Sequence, residues 1–100
     1  MNPMQQMLAQ AQKMQRELKK AHDELDAKEF SVSKSGMVDL VMLGSRKIKS
    51  LSIDKDALDA ENKEMLEDAI TLAINEALEK IAKEADEIES KITGQKGMMF

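Results

Sequence analysis

Lys13, Arg16 and Lys20 stand three and four residues apart, with Lys19 beside them. On a helix this spacing gathers side chains on one face. A line of ammonium and guanidinium groups is chemistry for a polyanion, and phosphate oxygens are its commonest target in nucleic acids. Gln5, Gln6 and Gln12 extend that surface toward the start of the chain, and amide side chains also meet phosphate, sugar or base edges. The competing use of such a stripe is an ordinary solvated face. A second basic group, Arg46, Lys47 and Lys49 with Lys34 nearby, falls in a region of strand pattern. There, edge lysines also serve to discourage unwanted strand pairing.

Other chemistries find less support. Asp54, Asp56, Asp59 and Glu61 suggest calcium, but a calcium loop starting at Asp54 needs Gly sixth and Glu twelfth. The chain has Asp59 and Met65 there, so turn and helix-capping roles fit better. His22 is the only histidine and cannot build a conventional metal site alone. With no Cys, the chain has neither thiol nucleophiles nor thiolate zinc sites. The four glycines, at 36, 44, 94 and 97, are scattered and form no phosphate loop. Carboxylates pair only on charged helix faces. The expectation is a protein that is not an enzyme, with no cofactor, no metal and no small-molecule substrate.

These side chains need a scaffold, and 100 residues allow one domain. The apolar 42% is Leu, Ile, Met, Val and Ala, with Phe30 and Phe100 the only aromatics. A core this thin favours oligomerisation. No stretch approaches the roughly 18 uncharged apolar residues of a membrane span, and positive charge follows the Met-rich start instead of preceding an apolar run. A soluble, cytoplasmic protein without a membrane partner is therefore expected. Net charge is −4, yet it is unevenly distributed. Residues 1–22 carry four cations against Glu17, whereas residues 61–92 carry ten acids against four lysines.

Asn2 and Pro3 are suited to the cap and first position of a helix. Met4, Met7, Ala11, Met14, Leu18, Ala21 and Leu25 then recur with a/d spacing, which predicts a helix over 3–26 with its seam opposite the basic stripe. Strand patterns follow at about 28–33, 37–43 and 46–53, separated by Lys34-Ser35-Gly36 and Gly44-Ser45. One helical turn after Asp54 leads to a long helix over about 62–92, with Asn62 as its expected cap. Its broad apolar face, Leu66 to Ile81, suits a sheet, and the narrower seam Leu78, Ile81, Ala85, Ile88, Ile92 suits another helix. Asn75 interrupts this face, either to set register at an interface or as an exposed polar residue. Residues 94–100 are expected to be a flexible tail. The fold class is α+β: an N-terminal helix, a three-stranded antiparallel meander, a short helical turn and a long C-terminal helix. The first helix's seam is expected to pack along the last helix's seam as a two-helix stem.

This order resembles the YbaB/EbfC family of small bacterial nucleoid-associated proteins. The resemblance is carried by "QAQKMQ" (10–15), "SGMVDLVMLG" (35–44), "IKSLSID" (48–54) with Ala57-Leu58, and "EMLEDAITLAINEAL" (64–78). It spans nearly the whole chain, and each piece alone is weak. It implies a homodimer with joined sheets and tweezers-like helical arms, binding double-stranded DNA with low sequence specificity in nucleoid organisation and gene regulation. It also implies DNA contacts at Lys13, Arg16, Lys19 and Lys20, and at Lys80 and Lys83 of the last helix. The strong acidity of that helix runs against a DNA contact there. With neither Trp nor Tyr, the chain lacks stacking platforms for single strands. The alternative is a prefoldin-like protein-binding module or a recombination-associated adaptor. A holdase needs exposed apolar residues at its arm tips, whereas Met4 and Met7 are expected within the seam.

Overall fold

In a computed structural model, the structure describes residues 2–94. The expected flexible tail lies, beyond Gly94, outside the described residues. Helix α1 spans Pro3–Ala27. At its start Gln5 N donates to Asn2 Oδ1 at 2.8 Å, and Asn2 N donates to Gln5 Oε1 at 3.3 Å. This reciprocal pair satisfies two donors that a helix start otherwise leaves open.

Strands β1 (Glu29–Lys34), β2 (Val38–Leu43) and β3 (Ile48–Ile53) form one antiparallel sheet in the order β1-β2-β3. Ser35 and Gly36 make the first turn, both at positive φ. β3 begins at Ile48, two residues beyond the expected Arg46, because Arg46 takes φ of 73° and donates its N–H to Leu43 O at 2.8 Å. A bulge between Val41 and Met42 then shifts the β2–β3 register.

Two short 3-10 turns follow, Lys55–Ala57 and Ala60–Asn62. Asp54 Oδ1 accepts from Asp56 N at 3.2 Å and Asp59 Oδ1 from Glu61 N at 3.1 Å, so these acids act as caps. Asn62 departs from its expected capping role. Its Nδ2 donates to Ala57 O at 3.1 Å, and α2 (Lys63–Thr93) starts without a side-chain cap. At the other end Gly94, in the left-handed region at φ 71°, donates to Ser90 O at 2.8 Å.

The core lies between α2 and one face of the sheet. Phe30, Val32, Val38, Leu40 and Met42 are buried on that face. Opposite them α2 presents Ala69, Ala73, Ala77 and Ile81, all buried. A stripe of alanines lets the helix approach the sheet closely, while Leu66, Ile70, Ile74 and Leu78 pack around it half-buried. Ala73, Ala77 and Ile81 lie within the apolar face expected from the sequence, and Ala69 extends its buried centre toward the start of the helix.

The molecule is long. Its extents are 71 × 26 × 13 Å and its radius of gyration is 19.5 Å, against about 13 Å for a compact chain of this size. The length comes from α1. His22 Nε2 lies 3.7 Å from Glu89 Oε1, and Lys28 Nζ lies 2.8 Å from Glu84 Oε1, so α1 runs antiparallel to the second half of α2. Leu25 is buried, and Leu18, Ala21 and His22 are half-buried, but every described residue from 2 to 17 is exposed. The two-helix stem therefore occupies only the C-terminal part of α1. The expected pairing along the whole seam stops because α2 ends at Thr93, level with about Leu18.

Candidate nucleic-acid interface

The basic stripe straddles the end of the stem, with Lys13 and Arg16 on the overhang and Lys19 and Lys20 on the first turn of the packed part. On a helix of 3.6 residues per turn, Lys13, Arg16, Lys19 and Lys20 lie on the side opposite Met7, Met14 and Leu25, and all four are exposed. Arg16, Lys19 and Lys20 line an open groove together with Asp23, Glu24 and Ala27. Lys19 Nζ is 2.8 Å from Asp23 Oδ2, and this hydrogen bond, with the carboxylate's charge, raises the lysine pKa. The pair is solvent-exposed and contributes little to stability, so a phosphate can replace the carboxylate at small cost.

Lys80 and Lys83 sit elsewhere. Lys80 Nζ lies 3.6 Å from Glu76 Oε2 and 3.5 Å from Ser31 O, which fixes it beside β1. Lys83 lines a groove with Phe30, Lys80, Glu84 and Glu87. From the His22–Glu89 contact, Arg16 is six residues outward on α1 and Lys80 nine residues inward on α2. At 1.5 Å per residue these cations are about 22 Å apart along the arm. Each α2 lysine also has acids three or four residues away, Glu76 and Glu84 for Lys80, Glu79 and Glu87 for Lys83, which cancels its field locally. The six candidate residues do not form one surface; four are together and two are apart.

The arm therefore changes sign along its length. From residue 2 to 20 there are four cations against Glu17. Beyond Lys20 the stem carries Asp23, Glu24 and Asp26 on α1 and Glu84, Asp86, Glu87 and Glu89 on α2, against Lys28, Lys83 and Lys91. A polyanion is attracted to the tip and repelled from the stem.

The second basic group is divided. Lys34 pairs with Glu76, and Lys49 with Glu29; both are structural links. Arg46 and Lys47 are exposed on the β2–β3 turn. That turn is fastened to the end of α1, with Gly44 N donating to Lys28 O at 2.9 Å and Ser45 N to Asp26 O at 3.2 Å. A Cβ on Gly44 would stand 1.8 Å from Leu25 O. Only glycine permits this contact, which sets the direction in which the arm leaves the sheet. Sequence reasoning marked Gly44 as a turn residue and missed that role; no local signal encodes which backbone a glycine approaches.

Among the described residues no His, Cys, Asp or Glu cluster could hold a metal ion, and no helix is long and apolar enough to cross a membrane. His22 is half-buried beside Glu89, and Asn75 is exposed.

Comparison with known proteins points the same way as the arm's geometry. The chain is similar to a nucleoid-associated protein of Mycoplasmopsis pulmonis, 43% identical over 91 residues, covering 91% of this chain and 90% of that relative. It is similar to another of Enterococcus faecalis, 41% identical over 99 residues, covering 98% and 93%. A third, from Ruminiclostridium cellulolyticum, is 40% identical over 95 residues, covering 94% and 83%. A model of the YbaB/EbfC DNA-binding family matches residues 1–97, a span that takes in the helical arm, the sheet and α2 together. The chain belongs to the YbaB/EbfC DNA-binding family.

Proposed function

We propose that this protein binds double-stranded DNA as a homodimer in the bacterial nucleoid, laying the basic stripe of α1 on the phosphate backbone through Lys13, Arg16, Lys19 and Lys20. One observation carries the reading: a stretch of α1 from Lys13 to Lys20 with four exposed cations against Glu17, in a family described as DNA-binding. Contacts of this kind neutralise phosphate without reading bases, so sequence preference is low. Lys80 and Lys83, each among acids, take no share. Nothing in this scheme calls for catalysis, a cofactor or a small-molecule substrate.

The homodimer rests on the sheet. Leu51 pairs with Leu40 and Ile48 with Met42, so both stand on the face that α2 covers elsewhere. Yet they are 43% and 47% exposed, and Leu58, Met65 and Leu72 are exposed as well. A second copy covering β3 would bury this apolar surface and remove an open strand edge. Two arms then contact separate stretches of one duplex, making roughly four to eight phosphate contacts.

Fluorescence anisotropy with a labelled duplex and a single strand of the same sequence tests the DNA reading. Tighter binding to the duplex, weakening steeply between about 50 and 200 mM salt, supports it; no binding at the lower salt refutes it. Sedimentation of the wild type and Leu51→Asp tests the dimer, with the variant expected as a monomer.

The protein-binding alternative gains one observation. Met4 and Met7 are 71% and 70% exposed, so the seam that was expected to hide them does not. Suppression of aggregation of an unfolded client by the wild type, lost in Met4→Ser/Met7→Ser, would favour that second reading.

A further inference from the structure

The free half of α1 has an apolar side, opposite Lys13 and Arg16. Met4, Met7, Leu8 and Met14 are exposed there, and among the described residues nothing covers them. A helix of about fifteen residues is marginal in water unless its apolar face is packed. Met4, Met7, Ala11 and Met14 continue the seam through which Leu18, Ala21 and Leu25 pack along the antiparallel α2. The same spacing therefore suits a second antiparallel helix.

The free seam also fits a copy of itself. Residues 2–12 contain no charged side chain, so two of these stretches meet without repulsion. About a two-fold axis the pattern is self-complementary: with Met4 of each copy opposite Met14 of the other, each Met7 meets an Ala11, large against small. In that register the second helix begins level with Gln15 and Arg16, just past the point where α2 ends at Thr93 and Gly94. It takes the place of α2 along the seam, and its positive N-terminal end follows the negative C-terminal end of α2. Lys13 of one copy stands level with the neutral Gln5 of the other, so the cations do not stack.

We infer that two copies of this chain join tip to tip through the free seams of α1, antiparallel, and so hold two DNA duplexes together. The inference rests on the DNA reading above. In the joined pair each basic stripe lies on the side away from the seam. The two stripes then face in opposite directions, and no single straight duplex can lie on both. Three methionines and a leucine from each copy are too little for a stable complex in dilute solution. Many such joints between two coated duplexes act together, each at a raised effective concentration.

A duplex fixed to beads and a labelled duplex in solution read the bridge directly. The wild type should retain the labelled duplex. Met4→Ser/Met7→Ser/Met14→Ser should retain at least about tenfold less while binding one short duplex with unchanged affinity. Wild-type retention by this variant overturns the inference. Binding of a short duplex by the wild type without retention overturns the bridge alone, whereas no binding removes the DNA reading and the bridge together.

Because the chain has no cysteine, disulfides test the register. Met4→Cys protein is mixed with Met14→Cys protein on DNA and oxidised. The mixed disulfide should form at least about tenfold faster than either like pair, since like positions lie about 15 Å apart along the axis, beyond the reach of a disulfide. Like pairs that form as fast contradict the antiparallel joint.

Discussion

From Leu18 to Ala27, α1 lies along α2, buries Leu25 and is tied down through His22, while Lys28 just beyond it contacts Glu84. From Pro3 to Glu17 the same helix is exposed at every residue, with the same three-and-four spacing of apolar side chains. The pattern does not distinguish the halves. The difference arises from where the partner stops and from charge. From Asp23 onward the packed half stands among carboxylates that repel a polyanion, whereas the four cations, Lys13 to Lys20, gather where the overhang meets the stem. On the proposed reading, one helix serves as a structural strut at its base and as a binding surface farther out.

Substitution within the helix should expose this difference most strongly. Leu25→Ala removes a buried side chain from the joint of arm and sheet and should cost about 2–5 kcal/mol. Met7→Ala, at an exposed position of the same seam, should change stability by less than about 0.5 kcal/mol. Urea unfolding of both variants measures the contrast, and equal losses would break it. Gly44→Ala comes next. Its Cβ meets the Leu25 carbonyl, and moving the arm aside should cost about 1–3 kcal/mol, read as a lowered thermal midpoint.

The electrostatic half of the comparison is subtler. Neutralising the stem with Asp86→Asn/Glu87→Gln should tighten duplex binding by about two- to threefold at low salt, and the gain should fade at high salt. An unchanged affinity would mean that the stem's field does not reach the DNA. The smallest effect concerns acid stability. The Lys34 ammonium holds the Glu76 carboxyl below its ordinary pKa, with Lys80 adding to this. The ion pair therefore contributes above the ordinary carboxylate pKa and is lost as pH falls through the lowered one. Glu76→Gln should flatten that part of the acid-unfolding curve, its small loss of stability being present at neutral pH and vanishing in acid.

Much of the fold was legible because it is written locally. Asn2 and Pro3 open α1 as their side chains dictate, and Val38, Leu40 and Met42 alternate onto the buried face of β2. The order of helix, meander and long helix follows from such signals. What stayed hidden depends on distant partners. Asn62 looks like a cap, but the carbonyl of Ala57 claims its side chain. Met4 to Leu25 reads as one seam because periodicity shows which face is apolar and not how far its partner extends. The same holds for the candidate site. The basic stripe of α1 was visible as a spacing. Setting Lys80 and Lys83 apart from it needed the distance along the arm, though the acids around them were already in the sequence.

The central claim is that DNA contact belongs to the basic stripe of α1, Lys13 to Lys20. Its most direct test is the slope of log affinity against log salt for a duplex, compared among the wild type, Lys13→Gln/Arg16→Gln/Lys20→Gln and Lys80→Gln/Lys83→Gln. Each phosphate contact contributes about 0.9 to that slope. The α1 variant should therefore lose roughly three to five units across two arms, while the α2 variant keeps the wild-type slope. A wild-type slope in the α1 variant, or a comparable loss in the α2 variant, would contradict the account.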